Sequence, residues 1–131
     1  LSPLLLAFWH LRRAPSVEAA LARLVPAGAA VGTGRTSHAR RRRLVAKIRR
    51  MGLRLPRGEQ GRCLVTALAV TAAVRRDGWP AVFVMGVGRQ DGRPAGHAWV
   101  ELDGEPLIEL REKGVRNRYR PMLAWPPEAS A

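Results

Sequence analysis

The sequence predicts a mixed α+β fold, helical in its first half and stranded in its second. Two observations predict it. Apolar residues recur at helical spacing as far as Gly78, and beyond Trp79-Pro80 the runs turn β-branched and alternating, punctuated by Asp-Gly. With 131 residues and a hydrophobic fraction of 47%, the chain can bury one core of its own, and no internal repeat or second domain boundary interrupts it.

The elements follow in order. Leu4 to Leu11 is a short apolar helix. Ser16 then caps a second helix, with Val17, Ala20, Leu21 and Leu24 on one face and Pro26 beyond its end. The small-residue stretch AGAAVGTG is a loop or a close-packed entry to a third helix. That helix starts near Thr36 or Ser37 and ends at Gly52, burying Leu44, Val45, Ile48 and Met51. A fourth helix begins at Cys63. It is apolar nearly all round, which marks a central buried helix, and it stops at Arg75-Arg76 with Gly78 in the left-handed position. AVFVMGVG is a buried strand, QDGRPAG a loop, and HAWVEL and EPLIEL the two strands of a hairpin around Asp103-Gly104. The tail, with Tyr119 and PMLAWPP, is placed to cover a sheet edge or to fray.

The formal net charge is +13, which invites nucleic acid, an anionic surface or an acidic protein partner. Of 23 basic residues, however, all but Lys47 and Lys113 are arginine, a skew that also accompanies GC-rich coding. The basic helix carries no interleaved aromatics and no base-reading motif, which speaks against nucleic acid. Arg41, Arg42 and Arg43 are the candidates for docking an acidic peptide or a partner. The opening apolar segment is interrupted by His10, Arg12 and Arg13, too short to span a bilayer and without a signal-peptide layout. The single cysteine excludes an internal disulfide, and no Cys/His cluster has metal spacing, so the expected setting is the cytoplasm, with no metal and no cofactor.

The lone thiol carries the chemistry. A thiol is a strong nucleophile as thiolate, and a helix N-terminus and a neighbouring imidazolium both favour that form. Cys63 has the first by position. Of the three histidines, His97 opens a strand directly after a Gly-rich stretch, where a side chain faces a cleft. An acceptor must hold the other imidazole nitrogen, and Glu101, Asp103 and Glu109 are candidates. A turn on Asp103-Gly104 alone would pair Leu102 with Glu105 and turn Glu109 away from His97. A three-residue loop, Leu102-Asp103-Gly104, would instead pair Glu101 with Glu105 and set His97 opposite Glu109. It would also gather Ala98, Val100, Ile108 and Leu110 on the other face. The second register is therefore expected. Trp99 shares the His97 face, as a wall of the cleft or as core.

The segments CLVTALAV, RRDGWPAVFVMGVG and GHAWVELDGEPLIE form a distinctive series from Cys63 to Glu109. It resembles the transglutaminase-like cysteine peptidases of lasso-peptide biosynthesis, in their stand-alone leader-peptidase form. The resemblance implies a papain-like, transglutaminase-type core, with the cysteine helix packed on an antiparallel sheet. Residues 1–131 are then one peptidase domain, 1–57 a helical N-terminal part and 58–125 the catalytic core. It further implies Cys63 as nucleophile, His97 as general base and acid, and Glu109 where the family commonly has an aspartate, one methylene shorter. The Cys63 backbone N–H and Gln60 are candidates for holding the oxyanion. The implied activity is removal of the leader segment from a ribosomally made precursor. The implied partners are that leader peptide, a separate leader-recognition protein, for which this chain has no spare stretch, and an ATP-dependent macrolactam cyclase. Two alternatives stay open on the residues: acyl transfer or glutamine deamidation by the same triad, and a non-catalytic basic binding module with an inert Cys63.

Overall fold

The structure, a computed structural model, describes residues 3–25, 37–55 and 58–127, with the side chains of Glu59 and Gln60 outside that set. Helices α1 (Pro3–Arg13), α2 (Val17–Leu24), α3 (His38–Gly52) and α4 (Glu59–Arg76) precede strands β1 (Val82–Gln90), β2 (Arg93–Leu102) and β3 (Glu105–Pro106). A 3-10 turn (Ile108–Leu110), a short helix α5 (Val115–Arg118) and strand β4 (Tyr119–Trp125) complete the chain. The expected helix-then-strand order is observed. AGAAVGTG, Thr36 and Pro26 lie outside the described residues.

Local chemistry sets the helix ends. Ser16 accepts the Ala19 N–H at 3.0 Å and Ser37 accepts that of Arg40 at 3.1 Å, each capping one of the unpaired amides of a helix start. At the other end of α4 the Trp79 N–H reaches the Val74 carbonyl and the Gly78 N–H that of Arg75, a Schellman stop that turns on Gly78 at φ 88°. The Thr71 hydroxyl, buried mid-helix, donates to the Ala67 carbonyl at 2.7 Å, so α4 carries its one deeply buried hydroxyl without leaving it unsatisfied. Val65, Leu68, Val70 and Val74 are all fully buried, as the all-round apolar pattern of this helix requires.

The sheet is antiparallel with strand order β3-β2-β1-β4. One face meets the helices: Phe83, Ala98 and Val100 share a core with Leu21 and Leu24 of α2, Val45 and Ile48 of α3, and Leu68 of α4. The opposite face packs Val84 and Trp99 against Val115 of α5. The tail does cover a sheet edge, because β4 pairs with β1 from Phe83↔Trp125 to Gly88↔Tyr119.

Two expectations about the turns are corrected. QDGRPAG is not a loop: β1 and β2 pair without a break to Gln90↔Arg93 across Asp91 (φ 53°) and Gly92 (φ 76°). The second hairpin turns in the same way on Asp103 (φ 54°) and Gly104 (φ 80°), with Leu102 opposite Glu105 and Glu101 opposite Pro106. Two residues of positive φ make the type I′ turn whose twist matches its flanking strands, and Asp-Gly favours it in both places. The three-residue loop is therefore not formed. Pro106 has no N–H to continue the ladder, and after the Leu107 N–H bonds to the Val100 carbonyl the chain leaves the sheet for the 3-10 turn. Leu107 takes the core position, while Ile108, expected to be buried, is 80% exposed.

Candidate active site

α4 already begins at Glu59, so Cys63 lies inside its second turn and half-buried, rather than at its mouth. The Arg62 N–H bonds to the Gly58 carbonyl at 3.0 Å, and the Cys63 N–H is the next donor in that ladder. The expectation that this N–H is free for an oxyanion is corrected accordingly. Gln60 stands in the first turn, its side chain outside the described residues.

His97 sits on β2 opposite Gly86. Its Nε2–H donates to Glu112 Oε1 at 2.8 Å, both side chains being 16% exposed. With Nε2 committed, Nδ1 is the nitrogen left for Cys63, with which the ring is also hydrogen-bonded. Burial alone would lower the His97 pKa. The hydrogen bonds to Cys63 and Glu112, and the charges of both partners, outweigh it and raise the pKa from 6.5 to about 9. The ring stacks on Tyr119 with centroids 4.8 Å apart and lies nearly parallel to Trp99 at 6.0 Å. These aromatic neighbours fix its plane.

The acid on His97 is thus Glu112, and the expectation that Glu109 stands opposite His97 is overturned by the hairpin register. Glu109 lies in the 3-10 turn, and both its carboxylate oxygens are buried without a hydrogen-bond partner among the described residues. Glu112 is delivered by two left-handed residues, Arg111 (φ 56°) and Gly114 (φ 74°), between which its own carbonyl accepts the Val115 N–H that opens α5. Arg118 Nη2 stands 3.8 Å from its other oxygen. No periodic pattern covers residues 111–114, so register reasoning had no purchase there.

The remaining candidates have other tasks. Glu101 is 3% exposed and accepts from Trp99 Nε1 at 2.8 Å and from Arg116 Nε and Nη2 at 2.6 and 2.8 Å. Burial would raise its pKa, but the Arg116 and Trp99 hydrogen bonds hold it below 4.5. Trp99 is fully buried, so it is core rather than a wall of the cleft. Asp103 is spent in the turn. Arg41 is 9% exposed, with its guanidinium 4.4 Å from the Trp79 ring centroid and beside His38, which leaves only Arg42 and Arg43 of the expected trio on the surface.

Cys63, His97 and Glu112 line one cleft of about 290 Å³ between α3, α4, β2 and the segment after the 3-10 turn. A thiol, an imidazole and a carboxylate in hydrogen-bonded series can deliver a sulfur nucleophile and move a proton. A model of the transglutaminase-like superfamily matches residues 4–124, a span that takes in all three residues and every element from α1 to β4. The chain belongs to the transglutaminase-like superfamily. No curated protein and no solved structure gives a significant match. The transglutaminase-like assignment accounts for the architecture, a cysteine helix on an antiparallel sheet, and its members are usually cysteine proteases or acyl transferases. Among the described residues no helix is long and apolar enough to cross a membrane, and no group of His, Cys, Asp and Glu is arranged to hold a metal ion.

Proposed function

We propose that this transglutaminase-like protein is a cysteine peptidase that removes the leader segment from a ribosomally made lasso-peptide precursor. The observation that carries the chemistry is the 2.8 Å hydrogen bond from His97 Nε2 to Glu112, beside a hydrogen-bonded Cys63. The substrate rests on the series from Cys63 to Gly88 and from Gly96 to Glu109, which resembles the stand-alone leader peptidases.

Cys63 sulfur attacks the scissile carbonyl carbon, and the His97 imidazolium places positive charge beside the reacting centre. His97 Nδ1 gives its proton to the departing amine as the C–N bond breaks, leaving the leader as a thioester on Cys63. Neutral His97 then takes a proton from water, whose oxygen attacks the thioester and releases leader carboxylate and thiol. Glu112 keeps the proton on Nε2 throughout and stabilises the imidazolium. The released core peptide passes to a separate ATP-dependent macrolactam cyclase, and a separate leader-recognition protein presents the precursor.

The test is reconstitution with precursor peptide and recognition partner, followed by mass spectrometry of wild type and Cys63→Ala. Two fragments, leader and core, appear only with wild type if the reading holds. Cleavage that survives Cys63→Ala ends it. A mass change without chain cleavage would assign the same three residues to deamidation or acyl transfer instead.

A further inference from the structure

The cleft that holds Cys63 is lined by three arginines, Arg49 from α3, Arg62 from α4 and Arg111 from the left-handed turn. Among the described residues its one lining carboxylate is Glu112, already engaged by His97 and within 3.8 Å of Arg118. Among the described residues neither Arg49 nor Arg111 has an ion pair. Arg49 is half-buried, so its charge is partly desolvated, and Arg111 lines both this cleft and the neighbouring space against His97 and Tyr119. Cations gathered around a concave, partly apolar site repel one another and raise the local concentration of anions. Arg111 is also held at φ 56°, a left-handed conformation that is unfavourable for a non-glycine residue and that recurs at binding sites.

We infer that Arg49 and Arg111 form a carboxylate-binding subsite beside Cys63, so the peptide accepted there carries an acidic group close to the scissile bond. This deepens the proposed peptidase reading and rests on it for the word "scissile", although the subsite itself is a property of the cleft. Arg49 and Arg111 line the same cleft as Cys63, so the carboxylate belongs to a residue at or next to the bond attacked. Planar guanidinium groups suit it, because each can take both carboxylate oxygens at once.

The chain has one cysteine, so alkylation reports on this cleft alone. The experiment compares the rates at which iodoacetate and iodoacetamide modify Cys63, read by intact mass. The reagents differ only in a carboxylate, and the ratio of their rates cancels changes in thiol reactivity. Arg49→Gln/Arg111→Gln is expected to lower the iodoacetate-to-iodoacetamide ratio about fivefold, as the loss of two solvent-screened ion pairs would. Arg42→Gln/Arg43→Gln removes the same charge from the exposed face of α3 and is expected to leave the ratio within about twofold of wild type. Arg111→Gln alone, an exposed change that does not endanger folding, is expected to give about half the effect on a logarithmic scale. An unchanged ratio in the cleft variants, or an equal fall in the α3 surface variant, overturns the inference.

A second arm identifies the carboxylate. Protection of Cys63 from iodoacetamide is measured with millimolar Ac-Ala-Glu-Ala-Ala-NH₂, its glutamine counterpart, and Ac-Ala-Ala-Ala with a free C-terminus. Protection by the glutamate peptide assigns a side chain, protection by the free acid assigns a chain terminus, and protection by neither overturns the subsite. None of these readouts needs peptide cleavage. An uncut precursor with a charge-selective Cys63 would therefore refute the peptidase reading and leave the subsite standing.

Discussion

Replacing Glu112 by glutamine separates the acid seen in the structure from the one that the strand register suggested. The amide keeps an oxygen acceptor near His97 Nε2 and loses the charge. The contact is 2.8 Å long between side chains that are each 16% exposed, so it is a charge-assisted hydrogen bond in a partly desolvated site. Such bonds contribute about 1.5–3 kcal/mol, which corresponds to a loss of about 10- to 150-fold in kcat/KM. The same energy leaves the imidazolium, and His97 should titrate well below its value of about 9. The assay is a histidine NMR titration of Glu112→Gln and Glu109→Gln, alongside cleavage rates. Glu109→Gln should leave both readings near wild type, because among the described residues its carboxylate makes no hydrogen bond to His97 or to any other group. Loss of activity in Glu109→Gln with an unmoved His97 in Glu112→Gln would refute the reasoning.

Three further outcomes follow from the contacts. Because the folded His97 value of about 9 lies above the ordinary 6.5, its stabilisation is complete below pH 6.5 and is lost as pH rises through 9; it amounts to at most about 3 kcal/mol. Urea unfolding of wild type should show that loss, and His97→Gln should flatten it. Glu101→Gln should destabilise the fold by about 1–3 kcal/mol in the same assay, since it discharges a buried acceptor of three hydrogen bonds, two of them from Arg116. The Glu101 value is held below 4.5, so its stabilisation is present above that pH and disappears as acid protonates it, and Glu101→Gln should blunt acid unfolding. Gly52→Ala should lower stability by about 1–3 kcal/mol, because the added methyl meets the Thr66 side chain where α3 and α4 close one wall of the cleft. A thermal melt within a degree or two of wild type would show that this contact yields freely.

Helix chemistry was the most legible part of the sequence. The caps Ser16 and Ser37, the Gly78 stop and the all-round apolar face of α4 are local signals, and each is where the sequence puts it. Cys63 and His97 were legible as a pair because each lies on a strong element, although Cys63 sits in the second turn of α4 and His97 in the middle of β2. The acid was not. Its assignment rested on one turn, and the preference of Asp103-Gly104 for two residues of positive φ outweighed the packing argument for a longer loop. Asp91-Gly92 carried the same signal, yet the proline and glycines after it suggested a loop where β2 in fact continues. Glu112 is set by two left-handed residues outside any periodic segment, and a linear pattern does not encode a contact made by tertiary geometry. Charge alone groups Arg41 with its exposed neighbours, whereas the spacing Arg41, Val45, Ile48 puts it on the buried side of α3.

The central claim is that Cys63 is the nucleophile of a unit completed by His97 and Glu112. A single-turnover reaction with precursor and recognition partner, quenched in acid and read by intact mass, tests it most directly. The account predicts a transient adduct of wild type, equal to the protein plus the acyl leader, that maps to Cys63, is absent in Cys63→Ala and forms more slowly in Glu112→Gln. Cleavage by Cys63→Ala, or an adduct that maps elsewhere in the chain, would contradict it.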